Sequence, residues 1–234
     1  NPFVNYLLTL SCQSSKTNAG TRGLDDLGRH TYVATLLDDG LMPDVIAGKF
    51  KLVVITGNAG DGKTAFLQQL ETQAEKQTQL FSNEELLNGR RFTTAQRTFL
   101  VNYDGSQDED DRNNDEVLRE FFSPFKGNDP NNWPDTETRL IAINEGRLID
   151  FLQTERAQFP ALLQLVVDGL QTGADAHGVG VINLNLRSVV ANTQNQEDSI
   201  LERQMRLLTH PKFWQACQGC NLKDKCYALH NAQT

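Results

Sequence analysis

The chain has 234 residues, 38% of them hydrophobic. That is enough for one large α/β domain with a full core, or a domain plus a small appendage, and no apolar run reaches the ~18 residues a membrane-spanning helix needs. A formal net charge of −8 argues against a sequence-blind nucleic-acid surface, which needs clustered Lys and Arg, so a nucleic-acid partner is expected only through a neighbouring domain. Residues Asn1–Cys12 carry neither a basic flank nor a cleavage pattern. No signal peptide is expected there, and a reducing, cytoplasmic setting is the simpler expectation.

In chain order, a polar, turn-rich stretch runs to Arg29. A helical pattern follows with Tyr32, Leu36, Leu37 and Leu41 near one face, and Pro43 starts a short helix that Gly48 ends. Lys51–Thr56 has the continuous apolar centre of a buried parallel strand. Lys63–Gln77 is a helix with Phe66, Leu67, Leu70 and Ala74 spaced to face a core. Thr98–Tyr103 is a second strand, running into an acidic segment from Asp104 to Glu116 that reads as a solvated loop. A short helix spans Asp115–Phe122. Arg139–Asn144 is a third strand, Glu145–Glu155 a helix, and Ala161–Leu170 another. Val179–Leu186 is a fourth strand, Asp198–Leu208 is helical, and Pro211 opens a further short helix.

Strands alternating with helices imply crossover connections. The expected fold class is therefore α/β: a mostly parallel sheet with helices on both faces. The expected division is an N-terminal helical and loop extension over 1–48, a core over 49–197, and a helical, cysteine-rich segment over 198–234.

Between the first strand and its helix stands Gly57-Asn58-Ala59-Gly60-Asp61-Gly62-Lys63-Thr64, which fits G-x-x-x-x-G-K-[ST]. Each part has a physical reason. The glycines let the backbone turn tightly and approach phosphate oxygens without a Cβ in the way. The resulting row of N–H groups at a helix N-terminus attracts an anion. The Lys63 ammonium reaches β- and γ-phosphates, and the Thr64 hydroxyl is a magnesium ligand.

On these residues the segment from Lys51 to about Arg187 resembles the P-loop NTPases. The additional Gly60 makes the loop similar to that of the AAA+ and STAND branches. The resemblance implies a P-loop NTPase fold, ATP and magnesium as ligands, and ATPase activity that couples nucleotide state to a protein partner or to self-assembly. Leu140–Glu145 resembles the Walker B pattern of apolar residues followed by an acidic pair. There Glu145 would be the general base for the attacking water. Asn144 stands where the magnesium-linked Asp is expected; being neutral, it would hold a metal-bound water more weakly. Asp104, after Phe99–Tyr103, is the other candidate for the magnesium-side carboxylate, provided its strand lies beside the loop. The fourth strand resembles a sensor-1 strand, and alternation puts Asn183 and Asn185 on one face; Asn185 is the residue expected to orient water. Arg187 either ends that strand in solvent or contacts a γ-phosphate. Asn221–Asp224 only superficially matches a guanine-reading motif, so ATP is the expected nucleotide.

Cys217-x2-Cys220-x5-Cys226-x3-His230 offers three thiolates and an imidazole at spacings that suit tetrahedral zinc, with His210 or Cys12 as alternative fourth ligands. Such a zinc knuckle would staple the terminal segment and take no part in catalysis. Residues Ile141–Leu152 and Val179–Val190, with the cysteines, also resemble ATPases of bacterial anti-phage defence operons. Two other functions fit the same loop: a regulatory module that holds nucleotide with little turnover, and a small-molecule or nucleotide kinase.

Overall fold

The computed structural model describes residues 1–9, 24, 26–109, 111–191 and 198–234. Cys12, an alternative zinc ligand, lies outside them. The chain divides into two units, Leu36–Arg187 and Asn1–Thr35 together with Ser188–Thr234. In chain order, α1 spans Pro2–Thr9 and α2 Asp26–Thr31, and a π-helical turn at Leu37–Leu41 runs straight into α3 (Met42–Ile46). There follow β1 (Leu52–Thr56), α4 (Lys63–Gln77), β2 (Leu80–Leu86), β3 (Gly89–Thr94), β4 (Thr98–Asn102) and α5 (Asn114–Phe121). Next come β5 (Glu137–Ile143), α6 (Glu145–Thr154), α7 (Pro160–Thr172), β6 (Val179–Asn183), α8 (Ile200–Leu208), α9 (Pro211–Trp214) and α10 (Tyr227–Gln233).

The larger unit is α/β. Its six strands form one sheet in the order β2-β3-β4-β5-β1-β6. The pairs β4–β5, β5–β1 and β1–β6 are parallel, while β2–β3 and β3–β4 are antiparallel. All five residues of β1 are buried, as expected for an apolar strand with a neighbour on each side and helices on both faces. Alternation sorts its side chains. Leu52 and Val54 pack with Ile141, Ile143 and residues of α5, α6 and α7. Val53 and Ile55 pack on the other face with Phe66, Leu67, Leu70 and Ala74 of α4 and with α3.

The structure corrects several expected elements. The hairpin β2–β3 was not expected: six of the seven β2 residues are exposed, so no apolar alternation marks that strand. Leu86 pairs with Gly89 across the two-residue turn Leu87-Asn88, so Asn88-Gly89 does not occupy the central turn positions where an Asn-Gly pair marks a hairpin. The fourth strand ends at Asn183, and Leu184–Leu186 is a 3-10 turn, so the alternation assumed through Asn185 stops earlier. Where a helix was expected across Tyr32–Leu41, α2 has already ended at Thr31, and an irregular link leads into the π-helical turn at Leu37–Leu41.

In the smaller unit, Phe3 stacks on Phe213 with ring centroids 4.4 Å apart and meets Trp214 edge-on. Cys217 and Leu229 complete this small core. Ser199 and Glu202 cap the start of α8 reciprocally, each side chain accepting from the other's backbone N–H. Among the described residues no helix is long and apolar enough to cross a membrane.

Candidate functional site

Because β4, β5, β1 and β6 all run the same way, the segments that leave their C-terminal ends emerge at one edge of the sheet. The register aligns Thr56 with Ile143 on one side and with Asn183 on the other. That edge is where open α/β sheets take ligands. It gathers Gly57–Thr64, Asn144-Glu145, Tyr103-Asp104 and Asn183–Arg187.

The glycine-rich loop is built as its residue types require. Gly60 and Gly62 have φ of +90° and +86°, the left-handed region that favours glycine. At Gly57 the constraint is space: a Cβ there would lie 2.8 Å from Asp61 Oδ2 and 3.0 Å from Leu184 Cβ. Asn58, Ala59 and Gly60 are exposed at the tip. The Asn58 N–H donates to Asp61 Oδ2 (2.5 Å), so a carboxylate of the chain already answers one loop amide. Lys63 Nζ donates to the carbonyls of Gly57 and Asn58, both at 2.8 Å. Partial burial holds the lysine below its ordinary value, against the raising charges of Asp61 and Asp104. The Arg187 guanidinium donates to the Asp61 carbonyl at 2.7 Å, so it braces the loop rather than ending a strand in solvent.

The strand carrying Asp104 is not beside the loop strand, because β5 separates β4 from β1. The end of that strand nonetheless touches the start of the loop's helix. Thr64 Oγ1 donates to the Tyr103 carbonyl at 3.1 Å, and the Asp104 charge is felt at Lys63. The start of the acidic segment is not a merely solvated loop. The Gly105 N–H donates to the Ala142 carbonyl at 2.7 Å, and Asn114 Nδ2 donates to the carbonyls of Gly105 and Gln107.

Glu145 is the first residue of α6, and Asn144 caps that helix through Oδ1, which accepts from the N–H groups of Gly146 and Arg147. The Asn144 oxygen is thus committed to its own helix. Glu145 Oε2 accepts from Asn183 Nδ2 at 2.9 Å. Asn185 Oδ1 accepts from Asn58 Nδ2 at 2.8 Å. The residue touching Glu145 is therefore Asn183, and Asn185 touches the loop; the two part company because the strand ends between them.

The cysteines do not gather. Cys217 is buried, Cys226 half-buried in the same small core, and Cys220 and His230 are exposed. Cys217 Sγ accepts from Asn1 Nδ2 at 3.0 Å. Among the described residues no group of three or more His, Cys, Asp or Glu stands placed to hold a metal ion. The donor types suit zinc, but their placement does not assemble a tetrahedral set.

A cleft of about 700 Å³ opens elsewhere on the larger unit, between the β2–β3 hairpin and α5, and contains none of residues 57–64. Of its lining arginines, Arg112 and Arg139 are paired with Glu109 and Glu137, and Arg91 is exposed. No family model, curated protein or solved structure matched this chain.

Proposed function

We propose that this chain binds ATP with magnesium at Gly57–Thr64 and hydrolyses it, coupling nucleotide state to a protein partner or to a second copy of itself. One observation carries the proposal. A left-handed glycine loop, its lysine and threonine, and the carboxylates Asp104 and Glu145 converge on one edge of a mostly parallel sheet.

Each residue then has a task. The loop amides and the start of the 15-residue helix α4 face the phosphates. Lys63 leaves the carbonyls of Gly57 and Asn58 for the β- and γ-phosphate oxygens. The Thr64 hydroxyl and the Asp104 carboxylate suit a magnesium ion, which when bound neutralises charge on those phosphates. Glu145 accepts the proton of the attacking water, and Asn183 holds the Glu145 carboxylate in place. Asn185 steadies the loop through Asn58.

A second reading is a module that holds nucleotide with little turnover. It is favoured by the Asn183 amide, which occupies Oε2 of the Glu145 carboxylate, and by the neutral Asn144, whose side-chain oxygen is committed to capping its own helix.

Phosphate release by wild type, Lys63→Ala and Glu145→Gln, alone and with DNA, RNA or candidate acceptors, separates these readings. Hydrolysis abolished by both substitutions is the expected result. Tight ATP binding without release under every condition supports the second reading, and phosphate transfer to an acceptor replaces both with a kinase. A role in anti-phage defence rests on resemblance alone, and loss of protection in cells carrying Lys63→Ala tests it. Zinc rests on the spacing of Cys217, Cys220, Cys226 and His230, and elemental analysis finding no stoichiometric metal removes it.

A further inference from the structure

Burying an amide side chain is unfavourable by about 1–3 kcal/mol unless it is hydrogen-bonded, so buried asparagines show where a fold has placed its specific bonds. Among the described residues three asparagines are buried, Asn88, Asn102 and Asn114. They come from three different elements: the hairpin turn, the end of β4 and the start of α5. All three bond the same short stretch of backbone. Asn102 Oδ1 accepts from the Asp104 N–H at 3.0 Å. Asn88 Nδ2 donates to the Asp104 carbonyl at 2.8 Å and to Asn102 Oδ1 at 3.3 Å. Asn114 Nδ2 donates to the carbonyls of Gly105 (2.9 Å) and Gln107 (2.8 Å).

The main chain of Asp104 is thus held at both its N–H and its carbonyl, and the next residue is held as well. Gly105 is pressed against β5, where a Cβ would lie 2.6 Å from Ile141 Cδ1. The cradle also reaches the helix that begins with Glu145. Asn114 Oδ1 accepts from Arg147 Nε at 2.6 Å, and Arg147 sits on α6 two residues after Glu145. Nothing in helix or sheet pairing requires this convergence.

We propose that Asn88, Asn102 and Asn114 are positioning residues that fix the main chain carrying the Asp104 carboxylate, whose Oδ1 accepts from the Ser106 N–H at 3.0 Å, and that they thereby set the metal affinity of the nucleotide site. The inference rests on the reading of Asp104 as the magnesium-side carboxylate.

The test titrates Mn²⁺ in the presence of ATP, followed by electron paramagnetic resonance, for wild type, Asp104→Asn, Asn114→Leu and Asn88→Ala, with ATP affinity in EDTA measured alongside. The asparagine substitutions are neutral, so a change in metal affinity reports geometry rather than charge. The expected result is a half-saturating Mn²⁺ concentration raised about tenfold in each asparagine variant and at least as much in Asp104→Asn, with metal-free ATP affinity within about threefold of wild type. If Asn114→Leu does not fold, Asn88→Ala reads the same quantity from a different element. Folded asparagine variants with unchanged Mn²⁺ saturation, even at a lower Tm, overturn the inference and leave the nucleotide site standing. Unchanged saturation in Asp104→Asn, or no ATP binding by wild type, overturns the underlying reading and the inference with it.

Discussion

Replacing Lys63 by Met separates two roles that a phosphate-loop lysine can confuse. Lys63 Nζ bonds the Gly57 and Asn58 carbonyls, each at 2.8 Å. Reaching phosphate means giving those bonds up. The net gain is then the difference between bonds to charged phosphate oxygens and bonds to two neutral carbonyls. At about 1.5–3 kcal/mol for a hydrogen bond to a charged group, that difference is roughly 2–3 kcal/mol, or about a 30- to 150-fold loss of ATP affinity. Stability should respond differently. Burial is the largest influence on the Lys63 ammonium and disfavours its charge, while Asp61 and Asp104 act the other way. Of the two carbonyls it leaves, that of Asn58 is exposed and open to water, and that of Gly57 is partly buried. Lys63→Met should therefore hold stability to within about 1 kcal/mol, a Tm change of at most roughly 4 °C for a chain of this size. Calorimetric titration with ATP and magnesium, paired with thermal denaturation, checks both halves. An ATP affinity within about threefold of wild type refutes the phosphate role. A Tm fall beyond about 8 °C shows instead that the lysine is a structural clamp on the loop.

Gly89→Ala should destabilise the chain by at least about 2–3 kcal/mol, because its Cβ would overlap the Val101 carbonyl oxygen and lie 2.9 Å from Val101 C; denaturant unfolding measures it, and an unchanged midpoint refutes the packing of the hairpin turn. Glu71 is buried, its Oε1 has no hydrogen-bond partner among the described residues, and burial outweighs the Tyr103 hydroxyl and Arg90 to hold its carboxyl above the ordinary glutamate value. A raised value means the folded chain binds that proton more tightly than the unfolded one, so the contribution to stability is present at low pH and is lost as pH rises through the folded value. Glu71→Gln should therefore gain on wild type as pH climbs above the ordinary glutamate range and then level off, in unfolding curves taken from pH 4 to 8; a flat difference contradicts this. In steady-state hydrolysis, Asn183→Ala should lower kcat about tenfold with little change in KM, since Asn183 touches Glu145, whereas Asn185→Ala should act mainly on KM through Asn58; the reverse pattern restores the roles expected from alternation.

What was legible beforehand follows from the range of the interactions involved. The helix expected at Lys63–Gln77 is the helix observed, with Phe66, Leu67, Leu70 and Ala74 buried, because helical periodicity and a glycine loop ahead of it are local properties. The left-handed φ at Gly60 and Gly62 is likewise a property of residue type in a tight turn. The hairpin escaped notice because an edge strand exposed on both faces carries no apolar period, and its turn residues Leu87-Asn88 are not a hairpin pair. The cysteine spacing suggested a common ion, but spacing alone does not say that Cys217 and Cys226 turn into an apolar core while Cys220 and His230 face solvent.

By itself, then, the sequence determined the α/β class, the strand–loop–helix unit at Leu52–Gln77 and the residue types at its turn, all encoded within a few tens of residues. Tertiary structure alone decided that β5 lies between β1 and β4, that Asp104 still meets the loop through Thr64 and Tyr103, and that Asn183 rather than Asn185 holds Glu145. Strand order and the end of β6 are settled by packing between segments far apart in the chain, where a single stretch of sequence carries no record of its neighbours.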